Sequence, residues 1–332
     1  MKRNILSMIL CTALALCCFT SCGTASEDEL TKVTLNEVAH SIFYAPLYVA
    51  VENDYFAEEG IDLELVTGFG ADKTMTALLS GEADIGFMGP EATIYAYNEG
   101  ANDYMVNFAQ LTQRAGNFLV ARENINNFDW KDLKGSYVLG GRKGGMPQMV
   151  FEYILKHNGL DPATDLPINQ SIDFGSTAAA FPDSEADYTV EFEPHATALE
   201  ESGKGYVVAS LGEDSGYVPY TAFSAKLSYM FDNPEIIQAF TNALQKGMDY
   251  VQIHTPEEIA EVIAPQFPET DLETITSIVK RYHNQDTWKE NLIFEDSSYD
   301  LLLDILESAG ELEKRPLYET LVNTYYANEI FY

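Results

Sequence analysis

Beyond residue 22 the chain contains no cysteine. All four cysteines, Cys11, Cys17, Cys18 and Cys22, lie in the first 22 of its 332 residues. The rest can therefore form no disulfide, no thiolate metal site and no cysteine nucleophile. Histidine is sparse as well. His40, His157, His195, His254 and His283 are scattered, with no His-Glu-x-x-His pair to ligate zinc, and no Gly-x-Ser-x-Gly elbow presents a nucleophilic serine. Basic residues are few: 19 Lys and Arg stand against 52 Asp and Glu, a net charge of −33. That excess argues against nucleic acid or anionic lipid as a partner and describes a solvated acidic surface. Beyond the N-terminus there is no long apolar run.

The N-terminus is a targeting segment by its pattern. Lys2 and Arg3 give a charged start, residues 5–19 an apolar run too short for a good membrane span, and Ser21-Cys22 a small-residue end. Residues 1–21 are expected to be a signal peptide. The stretch Phe19-Thr20-Ser21-Cys22-Gly23 resembles a bacterial lipobox, with Phe19 where Leu is usual. That resemblance implies a diacylated Cys22 as the mature N-terminus, with simple secretory cleavage as the alternative. Residues 22–31, polar and unpatterned, then read as a tether holding the body off the membrane.

Residues 40–95 carry the densest signal. Pro46 sits where a first helical turn tolerates it, Leu47, Ala50, Val51 and Tyr55 form an apolar stripe, and Gly60 ends the helix. Residues 61–67 alternate as a strand. Gly68-Phe69-Gly70 turns the chain into a second helix marked by Met75, Leu78 and Leu79 and stopped by Gly81. A short buried strand, 84–88, runs into Gly89-Pro90-Glu91. Three loops thus gather at the carboxyl edge of a parallel sheet, where open α/β folds bind ligands.

These residues resemble a known family. The Pro46 helix entry, Asp54-Tyr55-Phe56 through Glu59-Gly60-Ile61-Asp62, and residues 79–86 (LSGEADIG) are similar to the periplasmic-type substrate-binding proteins of the nitrate, sulfonate, taurine and thiamine-pyrimidine ABC importers. The likeness continues through Leu133-Lys134-Gly135, the glycine-rich 140–147, Phe192-Glu193-Pro194 and the helical tail. It implies a two-lobed α/β periplasmic-binding-protein fold, type II-like, each lobe a mixed sheet flanked by helices, with a ligand cleft between them. It also implies a monomer that hands a small molecule to a permease and an ATPase, without cofactor or metal. One branch of the same fold family is an enzyme that makes the thiamine pyrimidine through a cysteine-rich motif, and no cysteine follows Cys22 to supply it here.

The chain organises accordingly. Residues 32–113 and 224–332 are expected to form lobe 1 and residues 114–223 lobe 2, with crossovers near Arg114-Ala115-Gly116-Asn117 and Pro219-Tyr220-Thr221-Ala222-Phe223. From residue 232 the chain is mostly helical. Asn233-Pro234-Glu235 and Thr255-Pro256-Glu257-Glu258 each place a capping residue before an N1 proline, and these helices are expected to pack on lobe 1.

Candidate ligand-binding residues lie at strand ends. Of Phe43 and Tyr44 at least one ring should face the cleft, unless both staple the helix to the sheet. Phe69, Gly89 and Glu91 end the next two strands, and Glu91 alternatively complements a helix dipole. The loop Gly140-Gly141-Arg142-Lys143-Gly144-Gly145 has the wrong frame for a phosphate loop, because Gly144 follows Lys143 where Ser or Thr is needed. It reads instead as a helix N-terminus with free backbone N–H groups. The family resemblance carries ligand contact onto Arg142, Gly144, Gly145 and Met146. Glu193, before Pro194, is a ligand contact or a capping carboxylate. Tyr220 lies on the return crossover. Glu191 is the weaker neighbour, and His40 reads as a surface or hydrogen-bonded histidine. Aromatic rings with nearby carboxylates suit a flat heteroaromatic carrying N–H groups, such as a thiamine-pyrimidine precursor. The alternative is an alkanesulfonate, taurine or nitrate held by the helix N-terminus, Arg142 and Arg114.

Overall fold

The structure is a computed structural model that describes residues 30–172 and 175–330. Cys22, the signal peptide and nearly all of the tether lie outside the described residues. Two five-stranded sheets organise the chain. The first has the order β2-β1-β3-β10-β4, built from β1 (Thr31–Glu37), β2 (Ile61–Thr67), β3 (Ile85–Met88), β4 (Met105–Thr112) and β10 (Thr221–Lys226). The second has the order β7-β6-β8-β5-β9, from β5 (Asn117–Ala121), β6 (Val138–Leu139), β7 (Ile168–Asn169), β8 (Tyr188–Phe192) and β9 (Tyr206–Ser210).

Each sheet is mixed for the same reason. In both, the fourth strand is the one that has just crossed from the other lobe, and it pairs antiparallel to both neighbours: β10 with β3 and β4, β5 with β8 and β9. The remaining pairings of β1 with β2 and β3, and of β6 with β7 and β8, are parallel, so their carboxyl ends share an edge. The stretch expected to serve as return crossover is therefore split. Pro219-Tyr220 crosses, while Thr221-Ala222-Phe223 already belongs to a central strand, where the Phe223 ring stacks on Phe87 at 4.2 Å.

Local chemistry sets the helix ends. Pro46 occupies the first turn of the helix Ala45–Glu52, and Gly81, at φ 80°, takes the left-handed position that ends Ala71–Ser80. Thr255 and Glu258 form a reciprocal capping box at the start of Pro256–Ile263. The 20-residue helix Pro234–Ile253 lies across Ala45–Glu52 on lobe 1, and the crossing is close enough that a Cβ on Gly247 would sit 2.2 Å from the Pro46 carbonyl oxygen. A residue larger than glycine would force the two helices apart. Not all of the later helices keep to lobe 1. Asp296–Ala309 packs on the lobe 2 helix Met146–His157, and Leu272–Asn284 touches both lobes.

Candidate functional site

The carboxyl edges of the two sheets face each other across a cavity of about 120 Å³. Lobe 1 contributes the loop after β1, through Ser41 and Tyr44, and the turn after β3, through Gly89 and Glu91. Lobe 2 contributes the loop around Arg142, Gly145 and Met146 and the end of β8, through Glu191 and Glu193. The crossovers supply Asn117 and Tyr220, whose hydroxyl donates to the Asn117 side-chain carbonyl.

Rings form one wall. Ser41 caps a short 3₁₀ turn, Ile42–Tyr44, its hydroxyl accepting from the Phe43 N–H at 3.3 Å. That turn sends the two adjacent rings in different directions. Tyr44 lines the cavity, edge-on to Phe87 at 4.5 Å. Phe43 lies outside it, fully buried in a cluster with Phe192, Tyr220 and Tyr282 at centroid distances of 5.9, 5.7 and 5.2 Å. A Cβ on Gly116 would collide with the Phe43 ring at 2.7 Å, so this ring packs against the first crossover and holds the joint between lobes.

Three carboxyl groups line the cavity, and their surroundings differ. Glu193 is buried and fully partnered. Arg281 Nη1 approaches Oε1 at 2.5 Å, the Thr197 N–H donates to Oε2 at 2.9 Å and the Thr197 hydroxyl to Oε1 at 3.0 Å. Burial raises its pKa, and Arg281 and Thr197 limit the rise. Glu191 accepts from the Thr189 hydroxyl at 2.5 Å and the Thr177 hydroxyl at 3.0 Å, yet burial pushes its pKa up to about 7. Strand alternation puts Thr189, Glu191 and Glu193 on one face, so Glu191, expected from the sequence to be the weaker neighbour, lines the cavity together with Glu193. Glu91, only 2 % exposed, is also pushed up to about 7 by burial; hydrogen bonds from its own and the Met146 backbone N–H and the pull of Arg142 work against that rise. Its Oε2 has no hydrogen-bond partner.

Positive charge is thin here. Arg142 lies on the cavity wall and pairs with Asp72 of lobe 1 at 3.2 Å, both side chains substantially exposed. His40 also lines the cavity, its Nδ1 2.8 Å from Glu37 Oε1 and its Nε2 2.8 Å from the Gln266 carbonyl oxygen, which fits the hydrogen-bonded reading. Burial opposes its charge, but these contacts outweigh burial and raise its pKa.

Several expected contacts lie elsewhere. Phe69 adopts φ 58° in the turn after β2, and its ring is 63 % exposed, outside the cavity. Gly144 is also outside; its N–H donates to Gln148 Oε1 and its carbonyl accepts from Tyr95. Arg114 donates to the Gly212 carbonyl and stacks on Tyr217, away from the cleft. Tyr44, Gly89, Glu91, Arg142, Gly145, Met146, Glu193 and Tyr220 do meet at the cavity. Sequence reasoning missed Ser41, Asn117, Thr177 and His195, which also line it. Among the described residues no group of three or more His, Cys, Asp or Glu side chains is placed to hold a metal ion, and no helix is long and apolar enough to cross a membrane.

Two lobes joined by two crossings, with a carboxylate- and ring-lined cavity at facing sheet edges, define a substrate-binding protein of the periplasmic type. Comparison with known proteins agrees. The family model described as NMT1/THI5 like matches residues 42–259, and the chain belongs to that family. It is 44 % identical over 324 residues, 98 % of this chain and 95 % of the relative, to "Putative binding protein YtlA" of Bacillus subtilis (strain 168). Among solved structures it is similar to the alkanesulfonate-binding protein SsuA from Xanthomonas axonopodis pv. citri bound to MOPS, with a TM-score of 0.71 at 16 % identity over 89 % of this chain and 99 % of that one. The nitrate-binding protein NrtA from Synechocystis PCC 6803 gives a TM-score of 0.63 at 19 % identity, over 76 % of this chain and 70 % of that one. At such identities the likeness is one of fold. The chain is thus an NMT1/THI5-like protein with the periplasmic-binding-protein fold.

Proposed function

We propose that this chain is the extracytoplasmic, Cys22-anchored solute-binding component of an ABC importer, and that its cargo is a neutral or weakly basic heteroaromatic with N–H donors, of the thiamine-pyrimidine type. The observation that carries the ligand class is the unpartnered Oε2 of buried Glu91, set in the same cavity as the Tyr44 ring. A ring N–H donated to that oxygen would satisfy a buried acceptor, a charged hydrogen bond worth about 1.5–3 kcal/mol net. An anion would instead stand beside Glu91 and Glu191 in a site drier than water. Glu193, read from the sequence as a ligand contact or a capping carboxylate, has both oxygens committed to Arg281 and Thr197, and Glu191 has both committed to Thr189 and Thr177, so the burden of recognition falls on Glu91.

Arg142 on the cavity wall favours the second reading, an alkanesulfonate or nitrate cargo, for which the sulfonate- and nitrate-binding fold relatives are precedents. Native mass spectrometry of protein purified without denaturation identifies what it carries. Titration calorimetry then separates the readings. Aminopyrimidines are expected to bind and compact the protein in small-angle scattering, as closure of two lobes requires. Tight binding of an anion, lost on Arg142→Gln, would overturn the heteroaromatic assignment.

A further inference from the structure

We propose that Glu91 is the specificity-determining residue of this cleft, an internal carboxylate from lobe 1 that occupies the N-terminus of the lobe 2 helix Met146–His157, shutting out anions and presenting its free oxygen to an N–H donor. This rests on the ligand reading above and names the residue that enforces it.

The helix has 12 residues and its N-cap is Gly145, which has no side chain to cap it, with no acidic residue in its first turn. Its own lobe therefore leaves the positive end of the dipole and the first backbone N–H groups open to an outside acceptor. Glu91 faces them across the cavity that it lines together with Gly145 and Met146, and the Met146 N–H works against the rise that burial gives its pKa. Its seat is shaped for it: a Cβ on Gly89 would lie 2.0 Å from Glu91 Oε2, so glycine at that turn gives the carboxylate its room. The second anion-receptive feature of lobe 2, Arg142, is met by Asp72, again from lobe 1. An incoming anion would have to displace Glu91 and leave it buried and like-charged beside the intruder. An N–H donor leaves Glu91 in place and supplies the partner that Oε2 lacks.

The test measures ethanesulfonate, nitrate and 4-aminopyrimidine by calorimetry against wild type, Glu91→Ala and Glu91→Gln, with melting curves to show that each variant is folded. Both variants should bind ethanesulfonate at least tenfold more tightly than wild type, and Glu91→Ala should bind 4-aminopyrimidine at least tenfold more weakly. If neither variant gains sulfonate or nitrate affinity, the proposal is overturned, whatever the wild-type ligand proves to be. If wild type already binds ethanesulfonate tightly and Glu91→Ala tightens it further, the heteroaromatic reading fails while the role of Glu91 as a barrier to anions stands.

Discussion

Lobe 2 brings two carboxylates to the cleft and lobe 1 brings one, yet the single one is the more telling. Glu193 and Glu191 have hydroxyl, N–H or guanidinium donors of their own. Glu91 has an oxygen with none. Partnered buried carboxylates stabilise a local arrangement, whereas one left incomplete marks a place where something else must bind or a proton must sit. Counting acidic residues at strand ends does not separate the two kinds.

The largest effect should come from breaking the partnered side. Glu193→Ala strips Arg281 of a buried partner and Thr197 of its acceptor, and should lower unfolding free energy by about 3 kcal/mol in urea titration. A loss below 1 kcal/mol would show that Glu193 is no more structural than its lobe 1 counterpart.

Next comes pH. The Glu91 and Glu191 carboxyls titrate near 7 when folded and in the ordinary carboxylate range when unfolded. The folded chain then holds these protons more tightly than the unfolded one. The stability that follows is complete below the unfolded value and is lost as pH rises through about 7. Melting temperature of ligand-free protein should therefore fall between pH 5 and pH 8, by the equivalent of up to about 3 kcal/mol per group. Glu91→Gln should flatten its share of the slope; an unchanged slope in that variant would place the titration elsewhere.

The smallest effect belongs to the exposed pair. Arg142→Gln removes a half-exposed bridge to Asp72, expected to contribute less than about 1 kcal/mol, and should leave aminopyrimidine affinity within about twofold. A tenfold loss would give Arg142 a weight that the comparison between the lobes denies it.

Much of the fold was legible because proline and glycine punctuate it. Pro46 and Gly81 bracket their elements in sequence as in space, whereas the helix expected to run on to Gly60 breaks at Asp54, held at φ 58°, into Ala45–Glu52 and Tyr55–Glu58. The strand β10 was not, because Thr221-Ala222-Phe223 follows a proline without alternation and its partners are more than a hundred residues distant. Within the site, the sequence placed Tyr44 and Phe43 together and could not choose between them. The choice depends on how the Ser41-capped turn rotates two neighbouring rings, and no periodicity encodes that. Ser41, Asn117 and Thr177 carry no pattern at all; short polar side chains become visible only once a cavity surrounds them. Phe69 misled for the opposite reason, since a large ring in a turn looks purposeful although its backbone, at φ 58°, directs it outward.

The C-terminal helices change the kinematics of the molecule. Two chain crossings alone would leave lobe 2 free to tilt and also to twist. Here Tyr282 donates to the Gly116 carbonyl at 2.9 Å, Gln285 to the Ala115 carbonyl at 3.2 Å and Arg281 to Glu193, while Asp296–Ala309 rests on Met146–His157. Any relative movement of the lobes must therefore work against contacts made by residues 272–309, a stretch that belongs to neither sheet.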